Sequence, residues 1–171
     1  MQVLAMRVLG AAFYSEAQIA GLLAHVDTMD DYLLEESTYY VAESGGIIVA
    51  SGGWSGRRPG YELVGSEAAD AEHPARATIR SVFVHPAWAG RGLARRLVTQ
   101  AEAQARSAGH REMRLTATLA GEPLYRRLGY IATRRATLRF PHGGEAEVVP
   151  MRKTLDECAA PCRREQIPAG R

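Results

Sequence analysis

Apolar and polar residues change their spacing several times along the chain, and each change marks the border of a predicted element. The clearest stretch covers residues 76–108, where a β-branched apolar run is followed by a glycine-bearing turn and then by a helical pattern. The apolar stripe of the helical part consists of Leu93, Ala94, Leu97, Val98, Ala101 and Ala105. This pattern predicts a strand over 76–84 and a helix over 93–108 that ends at Gly109.

The residues after this helix continue the alternation of strands and helices. Apolar residues at every second position predict a strand over 112–118, and a short helix is predicted over 121–128. Two further β-type runs, 130–140 and 146–155, are separated by the glycine turn of a C-terminal hairpin. Because strand, helix and strand follow one another, 76–84 and 112–118 are expected to be parallel neighbours joined by a right-handed crossover.

The N-terminal part predicts a strand followed by two helices. Residues 3–9 alternate well enough to be a first strand, and an apolar face over 16–26 predicts the first helix. Ser15 and Gln18 have the spacing of a capping box, in which each side chain caps the backbone N–H of the other residue. A short second helix is expected over 31–36.

The middle of the chain predicts a hairpin and a long loop. Residues 38–43 and 47–53 are β-type runs joined by a serine and two glycines. Residues 55–75 are polar, glycine-rich and without a clear period, so we expect a long loop with at most a short strand near 61–64. A loop of this length is often functional, and the other interpretation is a surface insertion.

Composition limits the classes of protein to which the chain can belong. Its 171 residues suit one compact domain over 1–155, with a tail over 156–171. A net charge of +2 argues against a general nucleic-acid binder. No apolar run approaches the roughly 18 residues of a membrane span, and the N-terminus lacks the layout of a signal peptide, so a cytoplasmic location is expected. Cys158 and Cys162 have no second ligand pair nearby, so no metal site is expected.

The turn between the strand over 76–84 and the helix over 93–108 has the chemistry of an anion site. The first N–H groups of a helix have no partner within the helix, and the helix dipole places positive charge there. Gly90 and Gly92 let the main chain approach a phosphate without a Cβ in the way. The segment predicts a site for a pyrophosphate-bearing cofactor, and an ordinary strand-to-helix turn is the alternative.

Three short motifs then point to one family. Residues 89–94 read AGRGLA and follow Val84-His85-Pro86, residues 123–130 read PLYRRLGY, and residues 149–153 read VPMRK. With these motifs in this order, the chain resembles the GCN5-related N-acetyltransferases, the GNAT family, from the first strand to about Leu155. The resemblance implies an α/β GNAT fold, with a mixed central sheet of about six to seven strands and about four flanking helices. In this fold the parallel fourth and fifth strands splay apart.

The resemblance also implies acetyl-CoA as the co-substrate, with no metal. The pantetheine arm would pair with the main chain of one strand, and the pyrophosphate would lie on the N–H groups of the glycine turn. The implied cofactor-binding residues are Val82, Phe83, Val84, Ala89, Gly90, Arg91, Gly92, Leu93, Ala94, Arg95 and Thr118. Ala89 stands where the family usually has Arg or Gln, and Thr118 where many members carry Asn. Arg91 and Arg95 are the candidates to replace the missing side chain.

For catalysis, the resemblance implies direct attack of a substrate amine on the thioester, with Tyr125 as the proton donor to the departing CoA thiolate. The acceptor would be a primary amine of a small molecule or of a peptide or protein. The base stays open among Glu35, Glu36, Glu62, Glu67, Asp70, Glu72 and His85. Trp54, Tyr39 and Tyr40 either line the acceptor pocket or belong to the core.

Two other functions compete with N-acetyl transfer. A non-catalytic CoA-binding sensor or scaffold is motivated by the departures at Ala89 and Thr118. Nucleotide or nucleic-acid binding through the arginines around the glycine turn is a weaker idea, because no P-loop lysine motif is present. The expected partner is therefore an amine acceptor, with neither nucleic acid nor membrane, and the chain is expected to be a monomer or homodimer.

Overall fold

A computed structural model describes residues 1–25, 31–57, 63–64, 75–140 and 143–155. Within these residues, helices flank one mixed β-sheet. The helices are α1 (Gln2–Gly10), α2 (Glu16–His25), α3 (Asp31–Glu35), α4 (Leu93–Ser107) and α5 (Glu122–Arg127). The strands are β1 (Tyr39–Ser44), β2 (Ile47–Ser55), β3 (Leu63–Val64), β4 (Arg76–Val84), β5 (Glu112–Thr118), β6 (Ile131–Ala132), β7 (Ala136–Arg139) and β8 (Glu145–Thr154).

The sheet contains one parallel pair among its described strands. The strand order is β1-β2-β4-β5-β8-β7-β3, and β6 pairs with β8. β4 and β5 are parallel, but their pairing covers only Arg76–Thr78 opposite Glu112–Arg114. Residues 79–84 and 115–118 therefore diverge from each other. The predicted mixed sheet with a splayed parallel pair is confirmed.

The prediction of a first strand over 3–9 is wrong, because these residues lie in helix α1. The segment VLAMRVL is rich in strong helix formers, and as a strand it would present apolar side chains on both faces. As a helix it directs Ala5, Met6, Leu9 and Gly10 along one side. α1 packs on α2 and β4. β1 consequently forms one edge of the described sheet, and β3 forms the other.

The predicted strand over 130–140 is divided into β6 and β7. The interruption lies opposite Pro150 of β8, which has no N–H to donate to a sheet ladder. The Pro150 carbonyl instead accepts hydrogen bonds from the backbone N–H (2.9 Å) and the hydroxyl (3.1 Å) of Thr133. The predicted loop over 55–75 contains β3, and most of its remaining residues lie outside the described ones, as do Val26 and the tail over 156–171.

Two apolar clusters cover opposite faces of the sheet. One packs α4 on β4, β5 and β8 through residues that include Val98, Met113 and Val149. The other packs α2 on β7 and β8 through residues that include Leu22 and Leu138. The packing of α4 on the sheet fixes the position of the helix N-terminus relative to the splayed strands β4 and β5.

The capping box of α2 forms as predicted. The backbone N–H of Gln18 donates to Ser15 Oγ at 3.2 Å, and the N–H of Ser15 donates to Gln18 Oε1 at 3.0 Å. The neighbouring Tyr14 is buried, and its hydroxyl donates to the Glu147 carbonyl at 2.7 Å while accepting from the Leu119 N–H at 2.9 Å. Burial raises the pKa of the Tyr14 phenol, so it keeps the proton that it donates. Tyr14 thus joins the start of α2 to β8 and to the residue after β5.

Replacement of Tyr14 by phenylalanine is expected to destabilise the protein by about 1–3 kcal/mol, because it leaves the Leu119 N–H and the Glu147 carbonyl without these partners. Urea denaturation of both proteins measures the difference. Tyr32→Phe is the control, since Tyr32 is largely exposed. Equal stability of the Tyr14→Phe variant and the wild type would contradict the bridging role.

Candidate active site

A cleft of about 1220 Å³ opens where β4 and β5 diverge. One wall is formed by residues 79–84 and the other by residues 115–118. The start of α4 closes one end of the cleft, while α1 and α3 contribute to its lining together with α5. The cleft is therefore a consequence of the short parallel pairing described above.

A β-bulge shapes the β4 wall of the cleft. Ser51 pairs with Phe83, whereas Gly53 pairs with Arg80, so Ser81 and Val82 together face one residue of β2. Ser81 has a positive φ of 55°, which is uncommon for a residue other than glycine. The sequence predicted Val82, Phe83 and Val84 in this wall, and all three line the cleft. Ser81 was missed, because a bulge depends on strand register and leaves no local sequence signal.

The turn from β4 into α4 is built by a 3-10 turn and two glycines. His85 precedes the 3-10 turn Pro86–Trp88, and its Nδ1 accepts a hydrogen bond from the Ala87 N–H at 3.2 Å. His85 therefore caps the 3-10 turn. Gly90 and Gly92 have φ values of 75° and 79°, and a Cβ added to either would meet no atom within 4 Å.

The N-terminus of α4 is open towards the cleft. α4 begins after Gly92 with no side-chain cap, and Leu93, Ala94 and Arg95 line the cleft. The N–H groups of this first turn have no acceptor within the helix, and they carry the positive end of its dipole. This end of the cleft has the electrostatics of an anion site.

Two arginines beside the turn are placed differently. Arg95 lines the cleft together with Ala89 and Gly90. The Arg91 guanidinium instead lies 4.5 Å from the centre of the Trp88 ring. Arg95 is thus the better-placed candidate to replace the side chain that Ala89 lacks.

Tyr125 lies in the same cleft, on α5. Its side chain is buried, and its ring packs edge-on against Tyr130 with 5.8 Å between the ring centres. A Cβ added to Gly121 would lie 3.3 Å from the Tyr125 ring, so the glycine permits a close approach of helix start and ring. Thr118 also lines the cleft, and its hydroxyl accepts from the Gly121 N–H at 3.2 Å, which fixes the turn before α5.

The side of the cleft nearest α3 carries charged and aromatic groups. Asp31, Tyr32 and Glu35 of α3 line it, and so does Arg80 of β4. Arg57 pairs with Glu35 at 3.3 Å and lies 4.8 Å from the centre of the Tyr32 ring. This end of the cleft therefore carries charges of both signs beside an aromatic ring.

The remaining candidates for the base and the acceptor pocket lie elsewhere. Glu36 pairs with Arg57 at 3.1 Å and does not line the cleft. Trp54 is buried beneath α4, and Tyr40 packs on the same cluster, so both belong to the core. The Tyr39 hydroxyl accepts from Gln2 Nε2 at 2.8 Å. Four acidic candidates lie outside the described residues: Glu62, Glu67, Asp70 and Glu72.

Comparison with known proteins gives the family. The model of the acetyltransferase (GNAT) family matches residues 8–130. The chain belongs to this family. It is accordingly an acetyltransferase with acetyl-CoA as its co-substrate. No curated protein matches the sequence significantly.

Solved structures share the fold of this GNAT protein at low sequence identity. A GCN5-related N-acetyltransferase from Rhodopseudomonas palustris is 21% identical, with a TM-score of 0.66 over 90% of this chain and 84% of that chain. The yncA protein of Salmonella typhimurium, whose structure contains acetyl-CoA, is 22% identical, with a TM-score of 0.56 over 87% of this chain and 78% of that chain. A ribosomal-protein-alanine N-acetyltransferase from Brucella melitensis is 18% identical, with a TM-score of 0.58 over 88% of this chain and 96% of that chain.

No helix in the described part of the chain has both the length and the apolar character needed to cross a membrane. The described side chains include no group of three or more His, Cys, Asp or Glu that suits a metal ion.

Proposed function

We propose that this GNAT protein transfers an acetyl group from acetyl-CoA to a primary amine of a small molecule, peptide or protein, by direct attack of the amine on the thioester. The observation that carries the proposal is one continuous cleft. It contains the splayed edge of β4, the uncapped N-terminus of α4 and the buried Tyr125. These three features supply an extended main chain, an anion site and a phenol within one cavity.

The residues of the cleft fit a CoA-type molecule. The positive φ values and open surroundings of Gly90 and Gly92 leave room for a phosphate beside the main chain. The N–H groups over 90–95 would hold the pyrophosphate, and the main chain over 82–84 would pair with the pantetheine arm. Arg95 adds a positive charge beside this site, while Ala89 contributes only its backbone.

Tyr125 is the proposed proton donor. Acetyl-CoA, when bound, supplies an activated acetyl thioester whose leaving group is a thiolate. The Tyr125 phenol holds a proton at its oxygen in a largely buried setting, where a donated hydrogen bond is strong. The edge-on contact with Tyr130 helps to fix the ring.

The acceptor amine must lose a proton before or during attack, since a free primary amine is largely protonated at neutral pH. Among the described carboxylates, Asp31 and Glu35 line the cleft, and either can accept this proton directly or through water. Glu35 also forms an ion pair with Arg57, at 3.3 Å. We therefore place the acceptor at the α3 end of the cleft.

A non-catalytic CoA-binding sensor is the second candidate. It is favoured by Ala89, which removes one side-chain contact, and by Thr118, whose hydroxyl is already engaged with the Gly121 N–H. Both hypotheses require acetyl-CoA binding, so binding alone does not separate them.

Release of free thiol from acetyl-CoA, assayed over a panel of small primary amines and N-terminal peptides, separates the two functions. Enzymatic transfer predicts amine-dependent thiol release with one or more panel members. Calorimetric binding of acetyl-CoA without release over the whole panel would favour the sensor. Absence of binding at about 1 mM acetyl-CoA would exclude both hypotheses.

A further inference from the structure

A partly buried ion pair lies next to the active-site cleft. The ammonium group of Lys153, the only lysine in the sequence, is 2.7 Å from Glu102 Oε2. Glu102 is only 7% exposed and belongs to α4, whereas Lys153 lies on β8. Neither residue lines the cleft, so the proposed chemistry does not use them directly.

A short series of contacts connects this pair to Tyr125. Lys153 Nζ lies 5.5 Å from the centre of the Tyr130 ring, within the range of a cation–π contact. The Tyr130 ring packs edge-on against the Tyr125 ring, and the Tyr130 N–H donates to the Tyr125 carbonyl at 3.0 Å. Tyr130 therefore contacts the ammonium group on one side and the proposed proton donor on the other.

The Tyr130 ring meets this ammonium group as a neutral phenol. Tyr130 is 3% exposed, and burial, reinforced by the charge of Glu102, raises the pKa of its hydroxyl. Glu102 thus lies close enough to the Tyr130 hydroxyl for its carboxylate to act on the phenol.

Stability alone is a poor explanation for this arrangement. Burying the Glu102 carboxylate costs desolvation, and apolar residues of similar volume often stabilise a core as well as or better than an ion pair. What the pair does provide is a fixed distance between α4 and β8. α4 begins at the anion site, and the Tyr130 ring packs on β8.

We propose that the Glu102–Lys153 pair is a positioning element that acts through the Tyr130 ring to hold the Tyr125 phenol in the cleft. Lys153 and Glu102 are positioning residues, since neither touches the reacting groups. The inference rests on the proposed role of Tyr125 as proton donor.

A double-mutant cycle tests this coupling. Lys153→Met should lower kcat roughly tenfold, while the affinity for acetyl-CoA stays within about twofold of the wild-type value. A misplacement of a catalytic group by about 1 Å can cost roughly 100-fold, so a tenfold loss corresponds to a smaller displacement. In a Tyr125→Phe background the same substitution should cause no further loss, because the group that it positions is gone. Equal losses in both backgrounds would overturn the inference. Arg152→Met removes an exposed cation from the adjacent position of β8 and should change neither quantity.

Lys153→Met leaves a buried carboxylate behind and can therefore unfold the protein. The double variant Glu102→Leu/Lys153→Met removes both charges and should fold at least as stably as the wild type. It should nevertheless retain the loss in kcat. Wild-type kcat in a stable double variant would show that the pair serves stability only and would overturn the inference.

A second readout needs neither acceptor nor turnover. With 13C at the Cζ position of tyrosine, each of the seven tyrosines gives one NMR signal, and Tyr125→Phe assigns the one of interest. The double variant should shift or broaden the Tyr125 signal, whereas Arg152→Met should not. An unchanged Tyr125 signal would overturn the inference even if the protein proves inactive, and a changed signal in an inactive protein would count against the proposed function alone.

Discussion

Replacing Ala94 by aspartate is expected to weaken acetyl-CoA binding strongly while leaving the fold about as stable as before. Ala94 lies in the first turn of α4 and lines the cleft. A carboxylate there would stand within a few ångströms of the proposed pyrophosphate. Two unit charges about 4 Å apart interact by about 4 kcal/mol at an effective dielectric constant near 20, so we expect affinity to fall by at least about 100-fold.

The expected effect on stability is close to zero, unlike the effect on binding. An acidic residue in the first turn of a helix stabilises it by about 0.3–1 kcal/mol through the dipole, which roughly offsets the lower helix propensity of aspartate. Calorimetry with acetyl-CoA and urea denaturation measure the two effects separately. Ala94→Asn is the matched control, because it adds similar volume without charge and should cost much less affinity. Equal acetyl-CoA affinity in the Asp variant and the wild type would place the phosphates elsewhere.

Replacing Tyr125 by phenylalanine is expected to lower kcat by about 100-fold, the lower range for loss of a general acid or base. The affinity for acetyl-CoA should stay within about twofold of the wild-type value, because the ring and its contact with Tyr130 remain. Steady-state thiol release with an active amine gives kcat, and calorimetry gives the affinity.

Tyr40→Phe is the control for this experiment. It also removes one tyrosine hydroxyl, but from a residue packed on the core cluster under α4. The Tyr40→Phe variant should have the kcat of the wild type. A Tyr125→Phe variant with unchanged kcat would remove the phenol from the mechanism, whatever the result for binding.

The strand, turn and helix on one side of the cleft could be predicted because their sequence signals are local. The two glycines, the apolar stripe of α4 and the strand before it lie within one continuous segment, and short-range conformational preferences decide their structure. The resemblance to the GNAT family added Tyr125, and the structure brings that residue into the same cleft. The roles of these residues remain proposals, while the splayed fold that brings them together is confirmed.

The predictions that the structure corrects depend mainly on contacts between segments that are distant in the sequence. Residues 3–9 alternate enough to resemble a strand, but helix propensity and packing on α2 and β4 decide for α1. The positive φ of Ser81 follows from the register between β2 and β4, which no single segment encodes. The division of β6 from β7 depends on Pro150, which lies across the sheet.

The α3 end of the cleft, where we place the acceptor, was the least predictable part of the site. Arg57 and Arg80 meet α3 only through the folding of β2 and β4, so their contacts with Tyr32 and Glu35 cannot be derived from sequence spacing. The same holds for Glu102 and Lys153, which pair across 51 residues of chain. In both cases the sequence identifies charged residues but not their partners.

The most direct test of the account is an NMR titration of the 15N-labelled protein with acetyl-CoA. We expect saturable binding, with the largest amide shifts over residues 82–84 and 90–95. The main chain of these residues is proposed to hold the pantetheine arm and the pyrophosphate. Saturable binding with its largest shifts away from both segments, or no shifts at about 1 mM acetyl-CoA, would contradict it.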